Sequence, residues 1–273
     1  MRSVPCNGPM STVRPVIERE DDGDAVLGEA RVAVLRLAHG PVNVLDIELC
    51  RAITERFRAL ADDPVQAVVV TGTDRAFSAG VDLKRYLDGG APYVERFLPA
   101  LADAFHAVFE LGKPVVAAVT GHAIAGGGVL AACADVRLMA EGRGRIGVPE
   151  LRVGVPFPRI AIEVLRYTVG DVTARKLVLG AQTYYPSEAL ALGLVDRVVA
   201  PDDLLSEAVT TARTMAADIP GDTFAVTKAQ LRRDALERTA RYADEAAELT
   251  RLWNLRVIDG WTERYLESVL RKD

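Results

Sequence analysis

The sequence is poor in the residues that build metal sites, disulfide frameworks and nucleic-acid interfaces. Its 273 residues include three cysteines and three histidines, and no two cysteines stand in a CxxC spacing. The cysteines therefore predict neither a disulfide framework nor a metal site, but free thiols in a reducing compartment. The formal net charge is −5 and no basic cluster is present. We expect no nucleic-acid partner.

Long apolar runs are also missing. A membrane-spanning helix needs about 20 nearly unbroken apolar residues. The most apolar region, residues 114–140, is interrupted by His122, a glycine run, Asp135 and Arg137. The first ten residues contain no apolar segment of signal-peptide length. We therefore expect a cytoplasmic protein without membrane contact.

What is present has the composition of an ordinary globular protein, with 49% hydrophobic and 26% charged residues. An acidic run closes residues 1–24, which predicts a flexible tail. Residues 25–200 alternate strand-like and helical patterns, which predicts an α/β core of mostly parallel strands. This core begins with a predicted hairpin between residues 26–27 and 32–37. Residues 201–273 are helical throughout, and their apolar stripes predict packing on the core and on another subunit.

Two loops that contain glycine each follow a buried strand. Residues 114–120 lead into Gly126–Gly128 and a short apolar helix, while residues 68–71 lead into a loop that ends at Ala79-Gly80. Glycine allows a backbone N–H to approach a ligand closely, and a helix N-terminus favours negative charge. The pair of loops therefore predicts two backbone donors aimed at one point.

Four segments, taken together, resemble the enoyl-CoA hydratase/isomerase (crotonase) family. They are AFSAGVDLK at 76–84, AIAGGG at 123–128, VPE at 148–150 and ALALGLVD at 189–196. The resemblance covers about residues 26–270. It implies a crotonase-like α/β fold, a spiral of ββα repeats with a C-terminal all-helical region, assembled as a homotrimer or a dimer of trimers. The implied substrate is an acyl-CoA thioester of fatty-acid metabolism, and no cofactor or metal is expected.

The resemblance also assigns an oxyanion hole to two backbone amides. The matching donors are the N–H groups of Val81 and Gly127. Deprotonation beside a thioester moves negative charge onto its oxygen, and each preset donor lowers that barrier by roughly 3 kcal/mol. By analogy, the acyl-CoA contacts residues of both loops, namely Ser78, Ala79, Val81, Asp82, Leu83, Lys84, Gly127 and Leu130.

The number of candidate catalytic glutamates favours one reaction of the family over another. Hydratases of the family hold a water between two glutamates, of which one matches Glu150. The other lies three residues beyond the glycine donor, where this chain has Leu130. A single glutamate suits a proton shuttle that moves the double bond of a 3-enoyl-CoA to the 2-position, and an apolar pocket is expected to raise its pKa. The sequence GVPFPR at 154–159 also resembles the Δ3,Δ2-enoyl-CoA isomerase branch, so we expect an isomerase.

Two alternatives remain open at this stage. One is an enoyl-CoA hydratase, or another lyase or thioester hydrolase on the same scaffold. The other is a non-catalytic acyl-CoA-binding protein. Of the polar residues near the loops, His122 is expected to be structural, and Asp82 and Asp135 are expected to cap a helix or anchor a loop. Lys84 suits a CoA phosphate and solvent equally well.

Overall fold

The computed structural model describes residues 16–21 and 30–271. The strands are β1 (Val16–Asp21), β2 (Val32–Ala38), β3 (Val44–Leu45), β4 (Ala67–Thr71), β5 (Ala76–Ser78), β6 (Gly80–Val81), β7 (Val115–Val119), β8 (His122–Ile124), β9 (Val136–Ala140), β10 (Ile146–Gly147), β11 (Thr183–Tyr184) and β12 (Arg197–Val199). The helices are α1 (Ile47–Ala59), α2 (Leu83–Glu110), α3 (Gly126–Ala132), α4 (Glu150–Val153), α5 (Arg159–Gly180), α6 (Pro186–Ala191), α7 (Leu204–Ala217), α8 (Gly221–Arg241), α9 (Glu245–Ile258) and α10 (Trp261–Leu270).

The strands form one large sheet and two smaller ones. The large sheet has the order β1-β2-β4-β7-β9-β12, in which only the β1–β2 pair is antiparallel. A second sheet has the order β11-β10-β8-β5, and β3 pairs with β6 in parallel. Each of β2, β4, β7 and β9 is followed by a strand of a smaller sheet and then by a helix. This repeat confirms the predicted spiral of ββα units.

Both faces of the large sheet are buried, which explains the continuous apolar runs of its strands. Val68 and Val70 face the main core, while Ala67 and Val69 face a second cluster. Helix α7 covers that second face through Leu204, Ala208 and Ala212. The helical nature of the chain after residue 200 is thus confirmed, and α7 packs on the core of the same chain.

The N-terminal prediction is wrong for residues 16–21. They form the edge strand β1 rather than a flexible tail, with Ile17 paired to Leu37 and buried. Arg19 is held by Asp63 at 2.6 Å. The sequence did not reveal this strand because its charged residues are typical of a solvated tail. An edge strand also accepts charged residues, since their side chains remain in solvent. The rest of the predicted tail lies outside the described residues, as do residues 26–27, and the hairpin partner of β2 is β1.

Two residues set the form of helices α1 and α5. Asp46 caps α1, since its carboxylate accepts from Leu49 N at 2.8 Å. A kink at Gly170, whose φ is +72°, divides α5 into two helical halves. Within residues 16–21 and 30–271, no helix is long and apolar enough to span a membrane.

Candidate active site

A cavity of about 600 Å³ lies where the two glycine-containing loops, α4 and the last two helices meet. That volume is typical of a small-molecule site. The predicted residues that line it are Ala79, Val81, Asp82, Leu83, Lys84 and Glu150. Much of the remaining wall is apolar, with Leu101, Phe105 and Trp253 among its members. The structure therefore brings the first loop and the candidate catalytic carboxylate to one cavity.

Glu150 is the first residue of α4 and is buried, with 7% of its surface exposed. Its Oε2 has no hydrogen-bond partner among the residues that the structure describes. Burial raises the pKa of Glu150 from 4.5 to about 8, although a hydrogen bond from its own backbone N–H opposes this shift. A buried carboxyl group with one unpaired oxygen and a pKa raised to about 8 is able both to accept and to return a proton.

Asp82 is the other carboxylate in the described cavity wall. It caps α2, because its Oδ1 accepts from Arg85 N at 2.9 Å. This is the structural role that the sequence predicted for Asp82. Since Asp82 is held in the cap, Glu150 is the lining carboxylate that is left without a side-chain partner.

The first loop is fixed on both sides of Val81. Leu45 pairs with Val81 in the β3–β6 ladder, and Asp82 N donates to Leu45 O at 3.1 Å. Gly80 has φ +85°, and a Cβ there would lie 2.5 Å from Ile124 O. Glycine is therefore needed at residue 80 both for the backbone conformation and for the close approach of the second loop.

The second loop ends at the start of α3 in three amides that have no partner within the helix. The first hydrogen bond of this helix runs from Val129 N to Ala125 O at 3.1 Å. The N–H groups of Gly126, Gly127 and Gly128 precede it, so they have no carbonyl partner within the helix. A Cβ at Gly127 would lie 2.4 Å from Ser78 O, so α3 begins in contact with the first loop. The two loops are neighbours, as the repeated pattern predicted.

Three predicted contact residues do not line the cavity. Ser78 is fully buried and donates its hydroxyl to Asn43 O at 2.7 Å, so it supports the loop instead of a ligand. Leu130 is buried in the main core and does not line the cavity, whereas its buried neighbour Val129 does. Gly127 is also absent from the wall, although Gly126 lines it, and a Cβ at Gly127 would meet Ser78 O. The ligand contacts of Ser78, Gly127 and Leu130 stay predictions.

The last helix contributes cavity residues that no sequence motif predicted. Tyr265, Leu266 and Val269 of α10 line the wall. Helix α10 is attached to α4, since Thr262 Oγ1 donates to Val153 O and Trp261 Nε1 donates to Arg152 O, both at 3.1 Å. The sequence assigned this region to subunit contacts, because an amphipathic stripe does not reveal which surface it covers.

Two basic residues reach the cavity. Lys84 is the one lysine or arginine among the described lining residues, and the exposed His122 lines the wall as well. His122 therefore lies closer to the cavity than its predicted structural role implied.

Within the described ranges no group of three or more histidine, cysteine, aspartate or glutamate residues is arranged to hold a metal ion.

Comparisons with known proteins point to one family. A family model described as enoyl-CoA hydratase/isomerase matches residues 28–254. A putative enoyl-CoA hydratase of Thermus thermophilus is 37% identical over 182 residues, which is 65% of this chain and 71% of that protein. This chain thus covers more than two thirds of that relative, at an identity above 30%.

Solved structures agree with this result. The enoyl-CoA hydratase of Mycobacterium ulcerans matches with a TM-score of 0.75 and 31% identity, over 85% of this chain and 98% of that one. The human mitochondrial Δ3-Δ2-enoyl-CoA isomerase matches with a TM-score of 0.81 and 24% identity, over 93% and 97% of the two chains. The second likeness concerns the fold alone. Solved structures named as a hydratase and as an isomerase thus share this architecture.

Proposed function

The chain belongs to the enoyl-CoA hydratase/isomerase family, and from this premise we propose that it isomerises a 3-enoyl-CoA to the conjugated 2-enoyl-CoA. The observation that carries this proposal is the solitary, buried carboxyl group of Glu150. The position where hydratases of the family have a second glutamate holds Leu130, whose side chain neither donates nor accepts a proton. A site with one such group suits a reaction in which a single proton leaves and returns.

The proposed reaction has two proton transfers at one carboxylate. Ionised Glu150 removes a proton from the α carbon, and the electron pair moves into the thioester to give a dienolate. The backbone N–H groups of Val81 and Gly127 donate to the oxygen on which the charge develops. Glu150 then returns the proton to the γ carbon, which leaves the double bond conjugated with the thioester.

The remaining site residues bind the substrate in this proposal. The apolar wall holds the acyl chain away from water, which strengthens the hydrogen bonds to the developing oxyanion. Ala79, Asp82 and Leu83 line the path of the thioester and its pantetheine arm. Lys84 is placed to attract a CoA phosphate. No separate cofactor enters the proposed reaction.

The direct test is to supply a 3-enoyl-CoA and to record the absorbance of the conjugated thioester. We expect turnover by the parent protein and a loss of at least 10²-fold in kcat for Glu150→Gln, which keeps the shape of the side chain but removes the base. Asp82→Asn is the matched carboxylate control, and it is expected to retain most of kcat. A Glu150→Gln variant as active as the parent contradicts the proposal.

Hydration is the second candidate, because relatives that are 37% and 33% identical are named as putative or probable enoyl-CoA hydratases. The distinguishing measurement is water addition to a 2-enoyl-CoA. If hydration proceeds faster than isomerisation, the cavity activates water with Glu150 alone and the hydratase assignment replaces ours. Tight acyl-CoA binding without turnover of either substrate points to a binding protein.

We also propose that the chain assembles as a homotrimer or a dimer of trimers. Large apolar side chains are exposed on several helices, among them Val172 and Leu179 of α5 and Leu231 of α8. Exposed apolar surface of this kind is typical of subunit contacts. Light scattering coupled to size exclusion measures the mass directly, and a monomer at micromolar concentration rejects the assembly.

A further inference from the structure

Asn43, in the turn between β2 and β3, is fully buried and has φ +51°. Asparagine tolerates this left-handed conformation better than most residues do. Its Oδ1 accepts from His39 N at 2.8 Å. Its Nδ2 donates to two carbonyls of β5, Ala76 O and Phe77 O, each at 3.1 Å. The side chain therefore joins the β2–β3 turn to the strand that leads into the first loop.

The backbone of Asn43 extends the same connection toward Val81. Its carbonyl oxygen accepts from Ser78 Oγ at 2.7 Å, and Ser78 Oγ accepts from Gly80 N at 3.2 Å. On either side of Asn43, Val42 O accepts from Ala79 N at 2.9 Å, and β3 pairs with β6. The turn around Asn43 thus holds the whole approach to the Val81 amide.

These hydrogen bonds support the first loop and do not place Asn43 in contact with a ligand. Val42 and Val44 line the cavity, whereas Asn43 does not. A two-residue ladder such as β3–β6 is too short to fix an amide direction by itself, because few hydrogen bonds oppose its distortion. The buried amide of Asn43 adds two bonds upstream of Gly80, a residue whose backbone is less restricted than others because it has no Cβ.

We propose that Asn43 is a positioning residue that directs the Val81 N–H at the thioester oxygen without touching the substrate. This inference rests on the proposed function, since it assumes that Val81 is an oxyanion donor. The side-chain amide of Asn43 holds β5 in place through its two hydrogen bonds. The hydroxyl of Ser78, the last residue of β5, then holds Gly80 N. Because Gly80 directly precedes Val81, these bonds set the direction of the Val81 amide. A preset donor gives its full stabilisation only when it is held at the position of the developing charge.

The test uses Asn43→Gly, because glycine accepts φ +51° without strain while it removes both amide donations. The probe is an acyl-CoA whose thioester is conjugated to an aromatic ring. Its absorbance moves to longer wavelength when hydrogen bonds polarise the carbonyl. We expect the parent protein to produce this shift and Asn43→Gly to lose most of it. We expect kcat for the 3-enoyl-CoA to fall at least tenfold while KM changes less than threefold.

Two further variants keep the result decisive. Ser78→Ala removes the hydrogen bonds of the Ser78 hydroxyl to Asn43 O and Gly80 N but keeps both amide donations of Asn43. It is expected to lose part of the spectral shift, so it replaces Asn43→Gly if that variant does not fold. Thr71→Val removes a buried hydrogen bond to Ala118 O, 3.0 Å long, in the large sheet. It is expected to lose stability but to keep the shift, because the hydrogen bond that it removes joins β4 to β7 and does not involve Asn43 or Ser78.

The outcomes separate the two levels of the proposal. If the parent protein binds the probe without any spectral shift, the oxyanion hole itself is absent and the proposed function fails. If the parent shifts the probe and both Asn43→Gly and Ser78→Ala retain that shift, Asn43 is a purely structural residue and this inference is overturned. A loss of the shift in these variants but not in Thr71→Val supports it.

Discussion

Glu150 has the most unusual environment of the residues in the candidate site. A carboxyl group normally titrates near pH 4, but burial penalises the charged form of Glu150, whose Oε2 has no hydrogen-bond partner in the described part of the chain. In this cavity its pKa is raised to about 8. The same desolvation that makes Glu150 a stronger base makes its ionised form less populated at neutral pH, and both consequences are measurable.

The first prediction concerns the pH dependence of activity. As a base, Glu150 must be ionised in the free enzyme, so kcat/KM for a 3-enoyl-CoA is expected to rise with pH and to level off above about 8. A rate profile between pH 5.5 and 9.5 measures this midpoint. A rate that stays constant across this range shows that the cavity does not desolvate the carboxyl group.

The second prediction concerns stability. The folded-state pKa of Glu150 is about 8, above the 4.5 of a solvated glutamate, so between these two pH values the folded state holds a proton that the unfolded chain has released. The contribution of the protonated Glu150 carboxyl to the free energy of unfolding is present below pH 4.5. It is lost as the pH rises toward about 8, by at most about 1.4 kcal/mol per pH unit. Glu150→Gln does not titrate and is expected to unfold at higher urea concentration than the parent at pH 8.

Urea titrations of both proteins at pH 5 and pH 8 provide the comparison, because a general effect of the substitution contributes equally at both values. The advantage of Glu150→Gln over the parent must grow between them. An advantage that stays constant means that Glu150 titrates alike in the folded and unfolded chains.

At the scale of elements, α10 acts as the cover of the cavity. It is attached to α4, the helix that carries Glu150, through the buried Thr262 and the indole of Trp261. The exclusion of water from Glu150 therefore depends on a helix that lies more than 100 residues further along the chain. This dependence makes the pKa of Glu150 sensitive to substitutions in α10.

The third prediction tests that dependence with Thr262→Val, which preserves shape but leaves Val153 O unpaired at a cost of about 1–3 kcal/mol. Looser attachment of α10 admits water, so the midpoint of the kcat/KM profile is expected to move below the parent value. Thr239→Val is the control, since Thr239 Oγ1 donates to Ala235 O at 3.0 Å in α8, away from the cavity. Equal midpoints in both variants contradict the covering role.

At the scale of the whole molecule, buried charges connect the C-terminal helices to the sheet. Asp135 binds Lys228 Nζ and Arg232 Nη2, each at 2.6 Å, and accepts from Val115 N at 2.8 Å. The side chains of Lys228 and Arg232 are almost completely buried. Asp135 therefore anchors a loop, as its position in the sequence predicted, and it also holds α8 against the core.

The fourth prediction is that Asp135→Ala lowers the free energy of unfolding by about 3–5 kcal/mol, because it leaves two buried cations without their carboxylate. Urea unfolding measures this loss, and kcat of the folded protein is expected to stay near the parent value. Glu248→Ala is the control, since Glu248 pairs with Arg251 at the surface and solvent screens that pair. Similar losses in the two variants contradict the anchoring role.

The local sequence by itself determined the parts of the protein that depend on residue type and spacing. The apolar runs of β4 and β7 are continuous because both faces of the sheet are buried, and Asp46 and Asp82 mark helix starts because their carboxylates accept from free amides. The glycines of the two loops and the VPE segment identified the family, since close backbone approach leaves no room for a Cβ. The lack of a second carboxylate three residues beyond Gly127 was visible from Leu130.

Only the tertiary structure decided which distant segments meet. Edge strand β1 was hidden because its exposed charges resemble a solvated tail, and its pairing with β2 depends on contact across the sheet. The attachment of α10 to α4 was hidden because an amphipathic stripe does not specify its partner. The raised pKa of Glu150 and the bonds of Asn43 to β5 follow from such long-range contacts, since desolvation and hydrogen-bond geometry belong to the folded chain.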